Sequence, residues 1–563
     1  MSQEAERTER RERRRAAVRR AAGVGAVLAV ALALRLIGIT WGLPDATHLF
    51  SYHPDEFHSL RGALSMALGD PNPHFFNYGS LYLHLVGIAA AIADPSIFLS
   101  IPNASPGGAL LPMAIREWTL DARIVTVILG VATVAVVYAL ARTLWDHRAG
   151  LLAGLLLAVM PLHVLHSHYA TVDVPGALFT TLALLFAVWM VRDPNPRYAL
   201  WAGAAAGLAA STKYSGAIVL VAPLTGWMVA WALAWRGGGN RPPLASLLVP
   251  PAAALAAFAL TSPFTFLDWP SAWRDISFEM HHMRVGDDPS MMALYPSGWL
   301  FHLHGLVRAC GLPVLLAVLV GLIMAWGGRW WELLPLLAFG VVAFAVSARA
   351  QVRYARYEVP LLPVIAIIVA PLASRSAWAA ARAWLEPAVA RLAVGLLLVA
   401  AVAAPLLLSA DALYDLVARH PRAEALAVLE EMVPRGGSIG LLTEPWFYHP
   451  PVDYCNGGAA LRDTPLWRPY RRPVRELAVV GVDGARVREE LPHVVVITDF
   501  ELGGRLRLGD PAARELMGAL VDEYERAYTN ARRPTARAPF SPGRMAPQDW
   551  RYPTPRIEVW GRR

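Results

Sequence analysis

The sequence predicts a multi-span α-helical membrane protein of about eleven transmembrane helices, followed by a C-terminal α/β domain. Three observations carry this. Of the 563 residues, 56% are hydrophobic and only 17% are charged, with a mean hydropathy of +0.39; ordinary soluble chains carry about 25% charged residues. Apolar runs near the length of a bilayer crossing, about 20 residues, recur from Ala21 to Ser409. After Ala410 those runs stop, and charged residues, prolines and short apolar stretches alternate as in a water-soluble domain.

The first run, Ala21–Leu43, follows eight arginines within residues 1–20. That excess places the N-terminus in the cytoplasm by the positive-inside rule, and the length of the run favours a retained signal anchor over a cleaved signal peptide. The further runs are Ile124–Leu144, Ala149–Leu165, Val174–Val191, Ala199–Ala210, Ser215–Ala234, Leu244–Leu260, Leu300–Trp326, Trp331–Ser347, Tyr357–Ala373 and Leu392–Ser409. The links carrying Arg142, Arg148, Arg192, Arg197, Arg236, Arg241, Arg329, Arg375 and Arg382 then fall inside. The organisation expected is a basic cytoplasmic N-terminus (1–20), a transmembrane domain (21–409) with a large first outer loop (44–121), and an extracytoplasmic soluble domain (410–563). In the last, Asp415–Val433 reads as an amphipathic helix, Ser438–Leu442 and Val494–Thr498 as buried strands, and Asn530–Arg544 as a loop.

Several functions are excluded. The net charge is +8, but the basic residues lie between apolar runs rather than on one soluble face, so nucleic acid is not a partner. Cys310 and Cys455 lie far apart in unlike surroundings and form no disulfide framework. There is no GxxxxGK[ST] loop and no strand-anchored GxGxxG, and the inner links are too short to hold a nucleotide-binding domain. Any activated substrate must therefore reach the outer face already activated, and a lipid carrier is the natural vehicle.

The outer segments hold the unusual polar residues. In Ser51-Tyr52-His53-Pro54-Asp55-Glu56, adjacent carboxylates follow a turn-setting proline; a general base for an acceptor hydroxyl and a solvated helix cap both fit. The block Asn72–Leu81 alternates aromatic and turn residues, as an interfacial segment or a packed loop would. In His166–Asp173 the acid stands where it caps the next helix or faces Asp55 across a cavity. His166 and His168 show no tight metal-ligand set. Lys213 is the only lysine; it snorkels at a helix end or holds a phosphate. Arg349, Arg353 and Arg356 break the positive-inside trend, which an anionic ligand, lipid headgroups or pairing with the acidic residues above would explain. Arg353 and Arg356 share a face if that segment is helical. Gly203 and Gly207 permit close helix packing.

Five blocks in this order, HPDE (53–56), NPHFFNYGSLY (72–82), SHYATVDVP (167–175), STKYSG (211–216) and RYARYEVPLLP (353–363), resemble the membrane-embedded glycosyltransferases of the GT-C fold. More narrowly, they look like the branch of protein O-mannosyltransferases and lipid A aminoarabinose transferases. The likeness spans roughly residues 21–410, and the Arg-rich composition suggests a bacterium with a GC-rich genome. It implies a polyprenyl-phosphate-linked sugar as donor, membrane lipid as surroundings, and an acceptor hydroxyl on a glycan, lipid or protein at the outer face of the inner (plasma) membrane. It further implies Asp55 as general base, Glu56 orienting the acceptor or the base, and Asp173 as a second acidic residue of the catalytic site. Lys213, Arg353 and Arg356 would hold the donor phosphate, and His53, His168, Tyr169, Tyr354 and Tyr357 would line the cavity. A single displacement would invert the anomeric carbon. Some relatives bind a divalent cation and others need none, so metal use stays open and no cofactor is required. The rival reading is a transporter, flippase or binding protein for a lipid-linked sugar; such transporters show related halves and broken helices, whereas no internal repeat is visible here and the chemistry clusters on one face rather than at mid-membrane.

Overall fold

In the computed structural model, residues 3–103, 108–237, 242–286, 288–326, 330–381, 387–418, 420–458, 464–471, 473, 475–530 and 546–563 are described. Arg241, Arg329, Arg382 and nearly all of the expected loop Asn530–Arg544 lie outside them. The chain is a multi-span helical membrane protein. Among the described residues, eight helices are long and apolar enough to cross a bilayer, or ten if two sharply bent pairs each count as one span.

Every expected run has a helical counterpart, but three depart from a simple crossing. Ala149–Leu165 is broken where Met160 turns extended and Pro161, with no N–H to donate, opens a new short helix, Pro161–His166. Ala199–Ala210 becomes Pro196–Thr212, a 17-residue helix packed between its neighbours. Leu300–Trp326 folds as Gly298–Cys310 and Leu312–Ala325, meeting at 100°. The corner is Gly311 at φ +87°, a conformation that a Cβ would strain. The sequence reading missed a second bent pair in the long loop after the first span, Leu81–Ala93 with Pro95–Asn103 at 103°.

Close approach holds the bundle together. A Cβ on Gly203 or Gly207 would sit 2.3 Å or 2.2 Å from the carbonyl oxygens of Pro250 and Ala254, so the two glycines let Pro196–Thr212 lie directly on Val249–Thr261. Asp173–Arg192 and the segment Ala355–Ala373 run through the buried centre, and both begin at the end of the bundle where the polar blocks gather.

The soluble domain is α/β, as expected. Its sheet has strand order β2-β1-β3-β5-β4, with β1 Ser438–Leu441, β2 Glu476–Val479, β3 Val494–Thr498, β4 Tyr524–Thr529 and β5 Ile557–Arg562. β1 pairs in parallel with β2 and β3; β5 runs antiparallel to β3 and β4. The unbroken apolar run of β3 is buried on both faces, between Leu516 and Leu520 on one side and Ala425 and Leu429 on the other. The expected helix Asp415–Val433 is two helices: the last span continues to Val417, and Pro421 starts Pro421–Met432. The domain docks on the long loop after the first span. The Leu49 N–H donates to the Tyr454 carbonyl (2.7 Å), and the Asn456 amide holds both backbone groups of Phe50 (3.0 and 3.3 Å).

Candidate active site

Pro54 and its neighbours form a tight turn in which the Asp55 N–H donates to His53 Nδ1 (3.2 Å) and the short helix Glu56–Ser59 begins. The turn sends the two adjacent carboxylates in opposite directions. Asp55 stands at the helix start but caps nothing; its side chain, 21% exposed, pairs with Arg356. Burial alone would raise this carboxyl, but Arg356, with His53 and His58 adding to it, holds it down at about 2. Glu56 points into the bundle and is 1% exposed. Arg123 binds both its oxygens at 2.7 Å, and the Ala170 N–H donates to one of them (2.8 Å). Arg123 is itself gripped by the carbonyls of Ile39 and Trp41. Glu56 therefore ties the turn that carries Asp55 to the helix Leu110–Leu144 and does not itself face the space beside Asp55.

The second pair is Asp173 with Lys213, at 2.7 Å. Asp173 opens its helix without a capping bond; the lone lysine takes its carboxylate instead. Tyrosines back both cations: Lys213 Nζ lies 4.8 Å from the Tyr357 ring and Arg356 lies 4.2 Å from the Tyr354 ring. Arg356 also acts electrostatically on Asp173, so the two pairs share one field. Each cation is thereby kept desolvated and aimed, yet partly accessible, with 11% of Arg356 and 21% of Lys213 exposed.

The remaining expected residues divide. The His53 and Tyr169 rings pack at a tilt, 4.3 Å apart, beside the pairs, and His53 Nε2 and the Tyr169 hydroxyl are buried with no partner among the described residues. Arg353 is elsewhere. The 3₁₀ helix starts only at Ala355, so Arg353 and Arg356 share no helical face, and the Arg353 guanidinium turns back to the Ala350 carbonyl near Gly298. His168 does not line the cavity; its two ring nitrogens lie 2.8 Å from the carbonyls of Val164 and Ile37, locking the end of the first span to Pro161–His166.

The block 72–80 packs as a loop. Helix Trp269–Val285 clamps it: Asp268, just before the helix, accepts from the Asn72 amide (3.0 Å), Asp275 from the Phe76 N–H (3.0 Å) and Glu279 from the Asn77 amide (2.7 Å). Gly79 is required here, because a Cβ would stand 2.1 Å from the Ser211 carbonyl oxygen, two residues before Lys213. Gly79→Ala is expected to push the loop off that helix end at a cost of about 1–3 kcal/mol, seen as a lower melting temperature of the purified protein.

Four residues that the sequence reading did not place in the site adjoin it. The charges on Tyr78 come from Asp55, Arg356, Asp173 and Glu279; burial, with Asp55 next, pushes its hydroxyl well above the usual range, so it stays a donor. His166 lies in the field of Asp173, Arg356, Lys213 and Asp55, and both its ring nitrogens are buried without a partner. Asp549 accepts the backbone N–H groups of Ala355 and Arg356. Tyr552 packs its ring 4.8 Å from that of His53. Tyr78 and His166 stood inside blocks already singled out, and their unusual company of aromatic and turn residues was the available signal. Asp549 and Tyr552 gave none, since they come from the far end of the soluble domain.

Among the described residues, no three His, Cys, Asp or Glu side chains gather as a metal site. Asp55 and Asp173 are each held by a cationic side chain. A separate cleft of about 580 Å³ between the first loop and the soluble domain, lined by Asp45, Arg116, Tyr454 and Tyr470 among others, touches neither pair.

Residues 112–266, about a quarter of the chain, match the family model described as dolichyl-phosphate-mannose-protein mannosyltransferase. Over that segment, which holds Arg123, Asp173 and Lys213, the chain is similar to glycosyltransferases of the protein O-mannosyltransferase type. Among solved structures, ArnT from Cupriavidus metallidurans bound to undecaprenyl phosphate is 17% identical, with a TM-score of 0.46, over 72% of this chain and 72% of that one. The archaeal oligosaccharyltransferase AglB from Archaeoglobus fulgidus, in complex with an inhibitory peptide and a dolichol-phosphate, is 13% identical over 90% of this chain and 72% of that one, with a TM-score of 0.49. The S. cerevisiae protein O-mannosyltransferase Pmt1-Pmt2 complex bound to the sugar donor is 19% identical over 44% and 34%, with a TM-score of 0.31. No curated protein sequence matches the chain significantly.

Proposed function

We propose that this protein is an integral-membrane glycosyltransferase that moves a sugar from a polyprenyl-phosphate carrier to an acceptor hydroxyl. The reaction would take place at the outer face of the inner membrane, with the N-terminus in the cytoplasm and the soluble domain outside. The observation that carries the reading is the pairing of Asp55 with Arg356 beside Asp173 with Lys213. The mannosyltransferase family match over the segment that holds Asp173 and Lys213 supports it.

Asp55 takes the acceptor hydroxyl proton as that oxygen attacks the anomeric carbon. The bond from that carbon to the phosphate oxygen breaks, and its electron pair leaves on the phosphate. Arg356 and Lys213 stabilise the charge that develops there. A single in-line displacement inverts the anomeric carbon. Asp173 holds Lys213 on the phosphate side.

The test is mass spectrometry of the purified protein with a panel of polyprenyl-phosphate sugars and membrane extract, beside Asp55→Asn. Release of free polyprenyl phosphate by wild type alone supports the enzyme. Intact donor, bound or moved across vesicles without release, sinks it in favour of a transporter or binding protein. Arg356→Ala or Lys213→Ala is expected to raise the barrier by about 3 kcal/mol, about 10²-fold in turnover, as for loss of one oxyanion donor. Initial rates on the identified donor check this.

A further inference from the structure

The 3₁₀ helix Ala355–Leu361 carries Arg356 in its first turn, and nothing local caps it: Tyr354 at the cap position makes no side-chain bond to it. Its first two N–H groups are instead satisfied from the other end of the chain. Asp549, fully buried, accepts the Ala355 N–H at 3.2 Å and the Arg356 N–H at 2.8 Å, one on each carboxylate oxygen. The contact reaches across 193 sequence positions and from one domain into the other. Around it, Gln548 accepts from the Tyr354 hydroxyl (3.4 Å), and Arg422 holds the carbonyls of Tyr552 and Phe447 (2.9 and 2.5 Å). A two-point bond to the backbone of one residue and its neighbour fixes where that residue's side chain departs, as an N-cap does.

We infer that Asp549 is a positioning residue: the soluble domain sets, through it, the backbone from which Arg356 reaches Asp55. The domain is thus part of the active site and not only an appendage above it. The inference rests on the glycosyltransferase reading only for its consequence in turnover. The charged and titratable groups facing Asp55 are Arg356, His53, His58, His166 and Tyr78, and those facing Asp549 are Arg356, Asp173, Glu358, Arg308 and Tyr169. Asp549 touches the reacting groups only through Arg356.

The full-length protein allows a test without substrate. The Asp55–Arg356 pair contributes stability above the unfolded carboxyl pKa, and that contribution is lost as pH falls through the folded value, at about 2. Melting temperature against pH is read for wild type, D549N, D55N and D55N/D549N. Comparing D549N in the two backgrounds removes the titration of Asp549 itself. With Arg356 displaced, the acid loss due to Asp55 is expected to move up by about one pH unit or more, and to vanish in the D55N background. D549A, which keeps no acceptor oxygen where D549N still keeps one, is expected to shift at least as far as D549N, and it serves if D549N does not fold. An acid profile of either variant unchanged from wild type, or a shift that persists in full without Asp55, overturns the inference. On a donor that wild type turns over, D549N is expected to lose at least about tenfold in kcat/KM. Absence of turnover by wild type would instead fail the glycosyltransferase reading and leave the acid profile to decide on Asp549.

Discussion

Asp55→Asn is expected to lower sugar transfer by about 10²–10⁴-fold, the usual contribution of a positioned general base, with the fold retained. The side chain is part-exposed and the amide is nearly the same shape, so no cavity opens, whereas the lost group is the carboxylate that pairs with Arg356 and that the proposed reaction uses as base. The same residue sets the pH dependence. A carboxyl held at about 2 is ionised throughout the neutral and mildly acid range. The acid limb of kcat/KM, which reports the free enzyme, is therefore expected near pH 2, with no inflection near the ordinary aspartate value of about 4. A limb near pH 4 to 5 would show that Asp55 is not paired with Arg356 in the protein that binds substrate.

Arg123→Ala is expected to have the largest effect on stability. It leaves the Glu56 carboxylate buried without its cation, beside neutral donors such as the Ala170 N–H and the Ser51 hydroxyl. Breaking a buried pair in this way costs about 3–5 kcal/mol. The readouts are the melting temperature and the yield of monodisperse protein in detergent. Removing both charges, as in Glu56→Leu with Arg123→Leu, is expected to recover much of the loss, because an apolar pair needs no desolvated charge. Turnover per folded molecule is expected to survive in that double variant. A Glu56→Gln protein that melts like wild type yet loses transfer would return Glu56 to a catalytic role.

The spans were legible because a bilayer imposes a length and an apolar composition that side chains announce one by one. Strands β1 and β3 were legible for a similar reason, since a strand buried on both faces reads as a continuous apolar run. The breaks at Met160–Pro161 and Gly311 were harder to read, because a single residue interrupts a run that remains apolar throughout. In the site, residue chemistry pointed to Asp55, Asp173, Lys213 and Arg356, each unusual for its place beside an apolar run. It did not separate them from Glu56, Arg353 and His168, which have the same chemistry and adjacent numbers.

The sequence by itself determined the solvent of this protein, the order of its spans, its α/β tail and the set of charged residues from which the site is drawn. Which charge meets which was decided by the tertiary structure alone. Asp55 finds Arg356 across 301 positions and Asp173 finds Lys213 across 40, while Asp549 arrives from the other domain to hold the Arg356 backbone. The physical reason is range. Apolar burial sums over whole runs and leaves a pattern along the chain. An ion pair or a hydrogen bond acts over about 3 Å, so its partner is whichever group the packed bundle brings there, however far away in sequence.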